Sequence, residues 1–392
     1  MIAQIGAVTM INLRSIPQRW GMSLATIFSI ALVVVVLLGF LSMANGFRAT
    51  INGSGADDIA IMLRSGAQAE LNSGFGRDTV RLIETAPGIA QTEDDRPLLS
   101  AELYVIADGR RRASGTDANL PLRGVGAEAA RLRDGFTLLG GRMFAEGSNE
   151  LVVGEGVIRE YEGFDLGQTI RLGQNEWNVV GVFSTGGSVF DSEIWADVGV
   201  IQNLYQRGNA FQSMRVRLTR PEAIEELRAY VENEPRLDLD VNNEREYFAQ
   251  SVGGTQDLIM FVGWPLAIIM AVGAFAGAWN AMYASVDARL REIATLRAIG
   301  FAGFPAFVGT MVESVMLALI GGVIGAVFTY FVFNGISAST LGGASFTQVV
   351  FSFAVTPASI VSGMALALIV GFFGGFVPAI RAANAPLLAV HG

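Results

Sequence analysis

The sequence predicts a membrane protein of four transmembrane α-helices, with a large α+β domain inserted between the first and the second. Three observations carry that prediction. With 51% hydrophobic residues and a mean hydropathy of +0.44, the 392-residue chain is too apolar for a purely soluble protein and too charged for one lying wholly in the bilayer. Residues 21–46 and 258–286 are uncharged and residues 298–380 carry one formal charge, Glu313, whereas a single span needs only about 20 residues. Residues 48–256, by contrast, hold 32 acids and 21 arginines, a net of −11, and the rest of the chain 4 acids and 6 arginines, a net of +2.

Taken in order, residues 1–20 place Arg14 and Arg19 beside Ile5, Val8, Ile11 and Leu13, the composition of an interfacial helix. Residues 21–46 form the first span. That run of 26 residues exceeds the roughly 7–15 of a signal-peptide core, so the cleavage-like Ser42-Met43-Ala44 is expected to stay uncut. In the inserted domain, residues 47–256, Ile59, Ile61 and Leu63 alternate as in a strand, and 102–107, 150–153, 169–172, 177–183 and 214–218 read likewise. Residues 78–85, 196–205 and 221–232 read as helices, the last with Pro221 at its first position. Stretches 42–54 and 242–258 adjoin the spans and extend them as a helical stalk, although Gly46, Gly53, Gly253 and Gly254 weaken the case.

The second span, 257–286, leads into 287–301, DARLREIATLRAIGF. There Leu290, Ile293, Leu296 and Ile299 recur at helical spacing, Asp287 precedes Arg291 by four, and Gly300 follows the last turn as a C-cap, which makes a short amphipathic helix. Spans three and four occupy 304–333 and 356–380, with the Gly-, Ser- and Thr-rich loop 334–355 between them and a tail at 381–392. Arg14, Arg19, Arg289, Arg291, Arg297 and Arg381 all flank spans on the side opposite the acidic domain. That bias puts both termini and the amphipathic helix in the cytoplasm, and the domain outside.

Composition excludes several functions. The chain has no cysteine and a single histidine, His391, so disulfides, thiolate chemistry, a histidine metal cluster and a Ser-His triad are ruled out. All its basic residues are arginine, and without lysine it cannot build an ordinary phosphate-binding P-loop. An acidic outer domain repels nucleic acid. Gly124-x-Gly126-x-x-Ala129 has no acid closing a βαβ unit about 20 residues on, and reads as a turn rather than a dinucleotide fingerprint. Glu93, Asp94 and Asp95 lack calcium-loop spacing and read as a solvated run.

Two features of the spans bear on packing. The pairs Gly273 and Gly277, Gly321 and Gly325, and Gly371 and Gly375 set small residues one turn apart on spans two, three and four, which permits close helix approach. Glu313, an acid inside span three with no accompanying chain of acids, reads as a structural bond in the bundle rather than a proton relay.

The segment REIATLRAIGF, followed by Glu313-Ser314 and Gly321-Gly322-x-x-Gly325, resembles the signature of the MacB/FtsX-type (type VII) ABC transporter permeases. So do NLRSIPQRW before span one, LLGGRMF at 138–144, ELVVGEGVIREY at 150–161, LGQTIRLGQNEWNVVGVF at 166–183, and the closing PAIRAANAPLLAV. Order and spacing are most like the MacB- and DevC-like members without a fused ATPase.

The resemblance implies that the insert is a MacB-like periplasmic domain and that 287–301 is the coupling helix docking on a cytoplasmic ABC ATPase. Leu296, Ile299 and Phe301 would then enter its groove, Arg291, Glu292 and Arg297 would form the polar rim, and Ile293 and Gly300 would complete the element. It further implies a non-catalytic chain without cofactors of its own in the bacterial inner membrane. ATP and Mg would be held by two ATPase copies, with a second permease copy as homodimer partner. Motion passing from ATPase to periplasmic domain would drive export with a periplasmic adaptor and an outer-membrane channel. Lipoprotein release and regulation of cell-wall hydrolases are the alternatives within the class. A membrane-anchored sensor or scaffold without an ATPase is the alternative outside it.

Overall fold

The computed structural model describes residues 2–342 and 347–385. Pro386 of the closing motif, His391, and the centre of the loop after span three lie outside the described residues. The chain opens with α1 (Ile2–Arg14), a 3₁₀ turn at Ile16–Arg19, and α2 (Trp20–Asn52). The break between α1 and α2 follows from Ser15, whose hydroxyl donates to the Asn12 carbonyl at 2.8 Å, and from Pro17, which lacks an N–H. Then come β1 (Ile59–Arg64), α3 (Arg77–Ile83), β2 (Leu99–Arg110), β3 (Asp117–Val125), β4 (Thr137–Gly141), β5 (Glu150–Gly154) and α4 (Glu155–Glu160). After these lie β6 (Thr169–Leu172), β7 (Asn175–Ser184), β8 (Ile194–Asp197), α5 (Val198–Leu204), β9 (Ser213–Arg217), α6 (Ile224–Asn233) and β10 (Leu239–Asn243). The chain continues with α7 (Glu244–Ala288), α8 (Leu290–Ala298), α9 (Gly303–Phe333), the hairpin β11 (Ser337–Gly342) and β12 (Thr347–Ser352), and α10 (Pro357–Ala383).

Two compact units result. One comprises residues 1–45, 258–336 and 353–392, the other 46–257 and 337–352. The first is the membrane unit. Among the described residues, four helical stretches are long and apolar enough to cross a bilayer: 16–52, 257–288, 303–333 and 357–383. Ile30, Val34, Leu38, Ala318, Ala367 and Val370 form its core. Helix α10 starts where the Thr356 hydroxyl accepts the Ser359 N–H and Pro357 takes the first position, a capped and pre-set first turn. It runs to Ala383, three residues beyond the span expected from hydropathy.

The second unit is a mixed α+β domain. Its main sheet runs β10-β1-β9-β2-β3-β8-β5-β7-β4, with β6 also paired to β7. β3 with β8 and β5 with β7 are parallel, and the other pairs antiparallel. Two apolar cores divide it. Residues from β1, α3, β9, α6 and β10 make one, including Ile83, Met214 and Leu227; residues from β2, β3, β5, β7 and α5 make the other, including Leu122, Trp177 and Ile201. β2 joins the two, pairing with β9 over Leu99–Glu102 and with β3 over Leu103–Arg110.

Several expectations are corrected here. Residues 196 and 197 are strand, and Asp197 caps α5 by accepting the Val200 N–H at 3.0 Å. Gly124 is not in a turn. It lies in β3, where a Cβ would meet the Val198 Cα at 2.9 Å, so the missing side chain lets α5 approach the sheet. Loop 334–355 is not featureless, because β12 belongs to the domain: the Val350 N–H donates to the Ser192 hydroxyl at 2.8 Å, and Phe351 meets Phe47 edge-to-face at 5.4 Å.

Candidate functional site

Helix α8 is built by its capping. Arg289 precedes it and Ile299 ends it, and Gly300 adopts a φ of +103°. The Gly300 N–H donates to the Arg297 carbonyl and the Phe301 N–H to the Leu296 carbonyl, both at 3.1 Å. These two bonds are a Schellman closure, which only glycine makes without strain. One face points inward: Ile293 is 8% exposed and packs with Val286, Ala306, Ala382 and Ala385. Ile293, grouped with the docking residues on sequence, is therefore an anchor. Ile299 is 70% exposed, and Arg291 and Glu292 are exposed beside it. Leu296 and Phe301 line a cavity of ≈ 370 Å³ shared with Val8 and Ile11 of α1. Arg297 donates to the Ala385 carbonyl, which holds it against the end of α10. Asp287 lies 2.9 Å from Arg381, whose guanidinium also covers the Tyr283 ring at 4.3 Å.

The buried acid of span three sits behind this helix. Glu313 accepts from Arg289 at 2.6 Å and lies 3.7 Å from Arg19. Ser285 binds both arginines. Glu313 thus ties α9 to the residue that opens α8.

The glycines divide by what they touch. A Cβ on Gly321 would lie 2.8 Å from the Ile27 carbonyl oxygen and one on Gly325 2.7 Å from that of Ala31, so both seat α9 on α2. Cβ atoms on Gly371 and Gly375 would collide with Ala318 and Ser314 of α9. Gly277 faces Ser29 at 3.5 Å, but a Cβ on Gly273 meets nothing within 4 Å. Gly273, grouped with the packing glycines on sequence, thus makes no close helix contact within this chain.

The second site was not foreseen. In the domain, Glu70, Glu102, Glu193, Glu244, Arg123, Arg133 and Arg215 are all at most 5% exposed. Arg123 donates to Glu70 (2.5 Å), Glu102 (3.0 Å) and Glu193 (2.6 Å). Arg133 holds both oxygens of Glu102 at 2.6 and 2.7 Å. Arg215 reaches Glu102 at 2.7 Å, Glu70 at 3.0 Å and Glu244 at 2.6 Å. Aromatic rings complete the enclosure, with Arg123 over Tyr104 at 4.6 Å and Arg133 over Phe190 at 4.7 Å.

The set has four acids and three bases, and its acids do not behave alike. Burial pushes Glu70 and Glu102 up, but the arginines outweigh it, holding Glu102 at about 2 and Glu70 well below the usual range. Glu244 goes the other way: burial raises it and Arg215 offsets only part.

The joint links β2, β3 and β9 to the first turn of α7. Besides Glu244, Tyr247 accepts the Glu70 N–H at 3.3 Å, and Phe248 meets Phe190 edge-to-face at 5.5 Å. Met214 and Val216 face an apolar core while Arg215 between them faces the joint, and Glu102 alternates in the same way with Ala101 and Leu103. Such alternation signals a solvated outer face, which is why the joint escaped the sequence reading. The available signal was one glutamate and two arginines, Glu102, Arg123 and Arg215, in three neighbouring strands of one sheet.

The family model for a MacB-like periplasmic core domain matches residues 23–234, and that for an FtsX-like permease C-terminal region matches residues 265–387. The macrolide export ATP-binding/permease protein MacB of Neisseria gonorrhoeae is 24% identical over 92% of this chain and 57% of its own length. The probable syringafactin export ATP-binding/permease protein SyfD of Pseudomonas syringae pv. tomato is 30% identical over 56% of this chain and 33% of its own. This chain therefore spans little more than half the length of the MacB relative. Among solved structures, the periplasmic region of MacB from Actinobacillus actinomycetemcomitans aligns at 14% identity with a TM-score of 0.38, over 52% of this chain and 96% of that one. With one family model covering more than half of the sequence and a second covering its C-terminal spans, the chain belongs to the MacB/FtsX-type ABC transporter permeases.

Proposed function

We propose that this chain is the membrane subunit of a MacB-like export system, passing the ATP-driven motion of a separate ATPase to its extracytoplasmic domain. One observation carries the reading: α8, with Ile299 bare at its capped end, follows directly on α7, whose first turn is bonded into the buried charge joint. Arg291, Glu292 and Ile299 form the docking surface, and Ile293 and Glu313 hold it to the bundle. ATP and Mg belong to the ATPase, present in two copies with two copies of this chain. An adaptor and an outer channel complete the path, in keeping with the export named for the macrolide and syringafactin relatives. Both termini lie in the cytoplasm on this reading, as the arginine bias requires.

Copurification tests it. An ATPase retained with the wild-type chain from its native membranes is expected to be lost, with at least a ten-fold drop in bound ATP turnover, on Ile299→Asp. Unchanged retention and turnover in that variant rule out docking through α8.

A further inference from the structure

The buried charge joint closes without α7. Arg123 reaches Glu70, Glu102 and Glu193, Arg133 holds Glu102, and Arg215 holds Glu70 and Glu102. These three acids and three bases leave no member unpaired and carry no net charge. Glu244 is a fourth acid, and it comes from another element. It is 1% exposed, and it pairs with Arg215 Nε at 2.6 Å. Arg133 and Glu102 act on it from further off, and Glu70, Arg123 and Glu193 complete its charged surroundings.

The other attachments of the first turn of α7 are weaker. Tyr247 accepts the Glu70 N–H at a long 3.3 Å, and Phe248 meets Phe190 edge-to-face. Arg245 lies 3.1 Å from Asp57, but both side chains are more than half exposed, and such pairs contribute little. If this turn withdrew, every charge left in the joint would keep a partner, and Glu244 would reach water. Docked, the ionised Glu244 instead adds an unmatched negative charge to a sealed site. Burial, reinforced by Glu102, raises its pKa, and Arg215 and Arg133 offset only part.

We propose that the first turn of α7 is a releasable latch on the domain, fastened when Glu244 carries a proton and loosened when it ionises. Docked, Glu244 keeps its proton to a higher pH than it does in water, so docking takes up a proton. The docked share is therefore greatest below the ordinary value of 4.5 and falls as pH climbs through the raised one. The pH of the compartment that the domain faces thereby sets how firmly this end of α7 is held.

Double electron–electron resonance on the full chain in nanodiscs tests the latch. Nitroxides are placed on Ala249→Cys in α7 and Glu232→Cys in α6, both exposed positions in a sequence without cysteine. One distance is expected to dominate at pH 5, and a second, from the released turn, to hold a share about three-fold larger or more at pH 8. Glu244→Gln, which cannot ionise, is expected to give one distribution at both pH values, whereas Glu246→Gln, on the exposed side of the same turn, keeps the wild-type response. A reference pair inside the domain, Glu232→Cys with Leu139→Cys, is expected not to move. No change with pH in the wild type, a response that survives Glu244→Gln, or one that the reference pair shares overturns the proposal. The measurement involves no ATPase, so failure here leaves docking through α8 untouched, and the reverse.

Discussion

Glu102 bonds to three arginines at once, and at this scale the account is most exposed to test. Removing one member of a buried charge set strands the others, at a cost of about 3–5 kcal/mol. Arg215→Met, which deprives Glu70, Glu102 and Glu244 together, is expected to lower the stability of the full chain by that amount, read by denaturant unfolding in detergent. Glu244→Gln removes the surplus acid and is expected to change stability by less than about 1 kcal/mol.

The two acids also predict opposite pH limbs. Glu102, lowered to about 2 from 4.5, stabilises the fold fully above pH 4.5, and that contribution is lost as pH falls toward 2. Glu244, raised from 4.5, contributes stability present below that value and lost as pH climbs through its raised pKa. Thermal midpoints across pH 2–8 should therefore fall on the acid side in wild type and in Glu244→Gln alike, while the variant loses the decline toward neutral pH. An unchanged neutral limb in the variant means that Glu244 is not the titrating group. These residues were all visible in the sequence, but their burial was not. A charge alternating with core residues along one strand is ordinarily solvated, but here segments distant in sequence, among them Glu70, Arg133, Phe190 and the first turn of α7, cover this face.

At the scale of the element, the helices were legible because length and apolarity fix them, and their glycines were legible as small but not as to partner. Added methyls at Gly321 or Gly325 press on carbonyl oxygens of α2, and such overpacking costs about 1–3 kcal/mol. Gly273→Ala is expected to be neutral or slightly stabilising, because its Cβ would be unobstructed and alanine is the better helix former. Thermal unfolding of the three variants side by side checks the contrast, and equal losses at all three positions would mean that Gly273 also packs. The same limit applies to α8. Periodicity placed Leu290, Ile293, Leu296 and Ile299 on a helix, and Gly300 at its end, yet it could not say that Ile293 faces Val286 and Ala306 while Ile299 is left bare. That division depends on α9 and α10, which no local pattern encodes. The hairpin β11–β12 was missed because its glycine, serine and threonine read as loop, and its support comes from Ser192 and Phe47 in the domain.

For the whole molecule, the charge split and the uncharged runs were enough to divide the chain into a bundle and an acidic domain, since both depend on composition rather than contacts. The domain's two apolar cores were not separable in advance. Its first core is assembled from β1 and α3 and, much later, β9, α6 and β10, and nothing local marks that return. The central claim is that α8 and the acidic domain face opposite compartments, so that a push on one must cross the bilayer to reach the other. The sequence has no cysteine, so single thiols introduced at Ile299, which ends α8, and at Leu139 in β4, both largely exposed, report compartment without background. In cells with a permeabilised outer membrane and an intact inner one, a membrane-impermeant maleimide is expected to label Leu139→Cys, and to label Ile299→Cys only after lysis. Labelling of both before lysis, or of neither, contradicts the account.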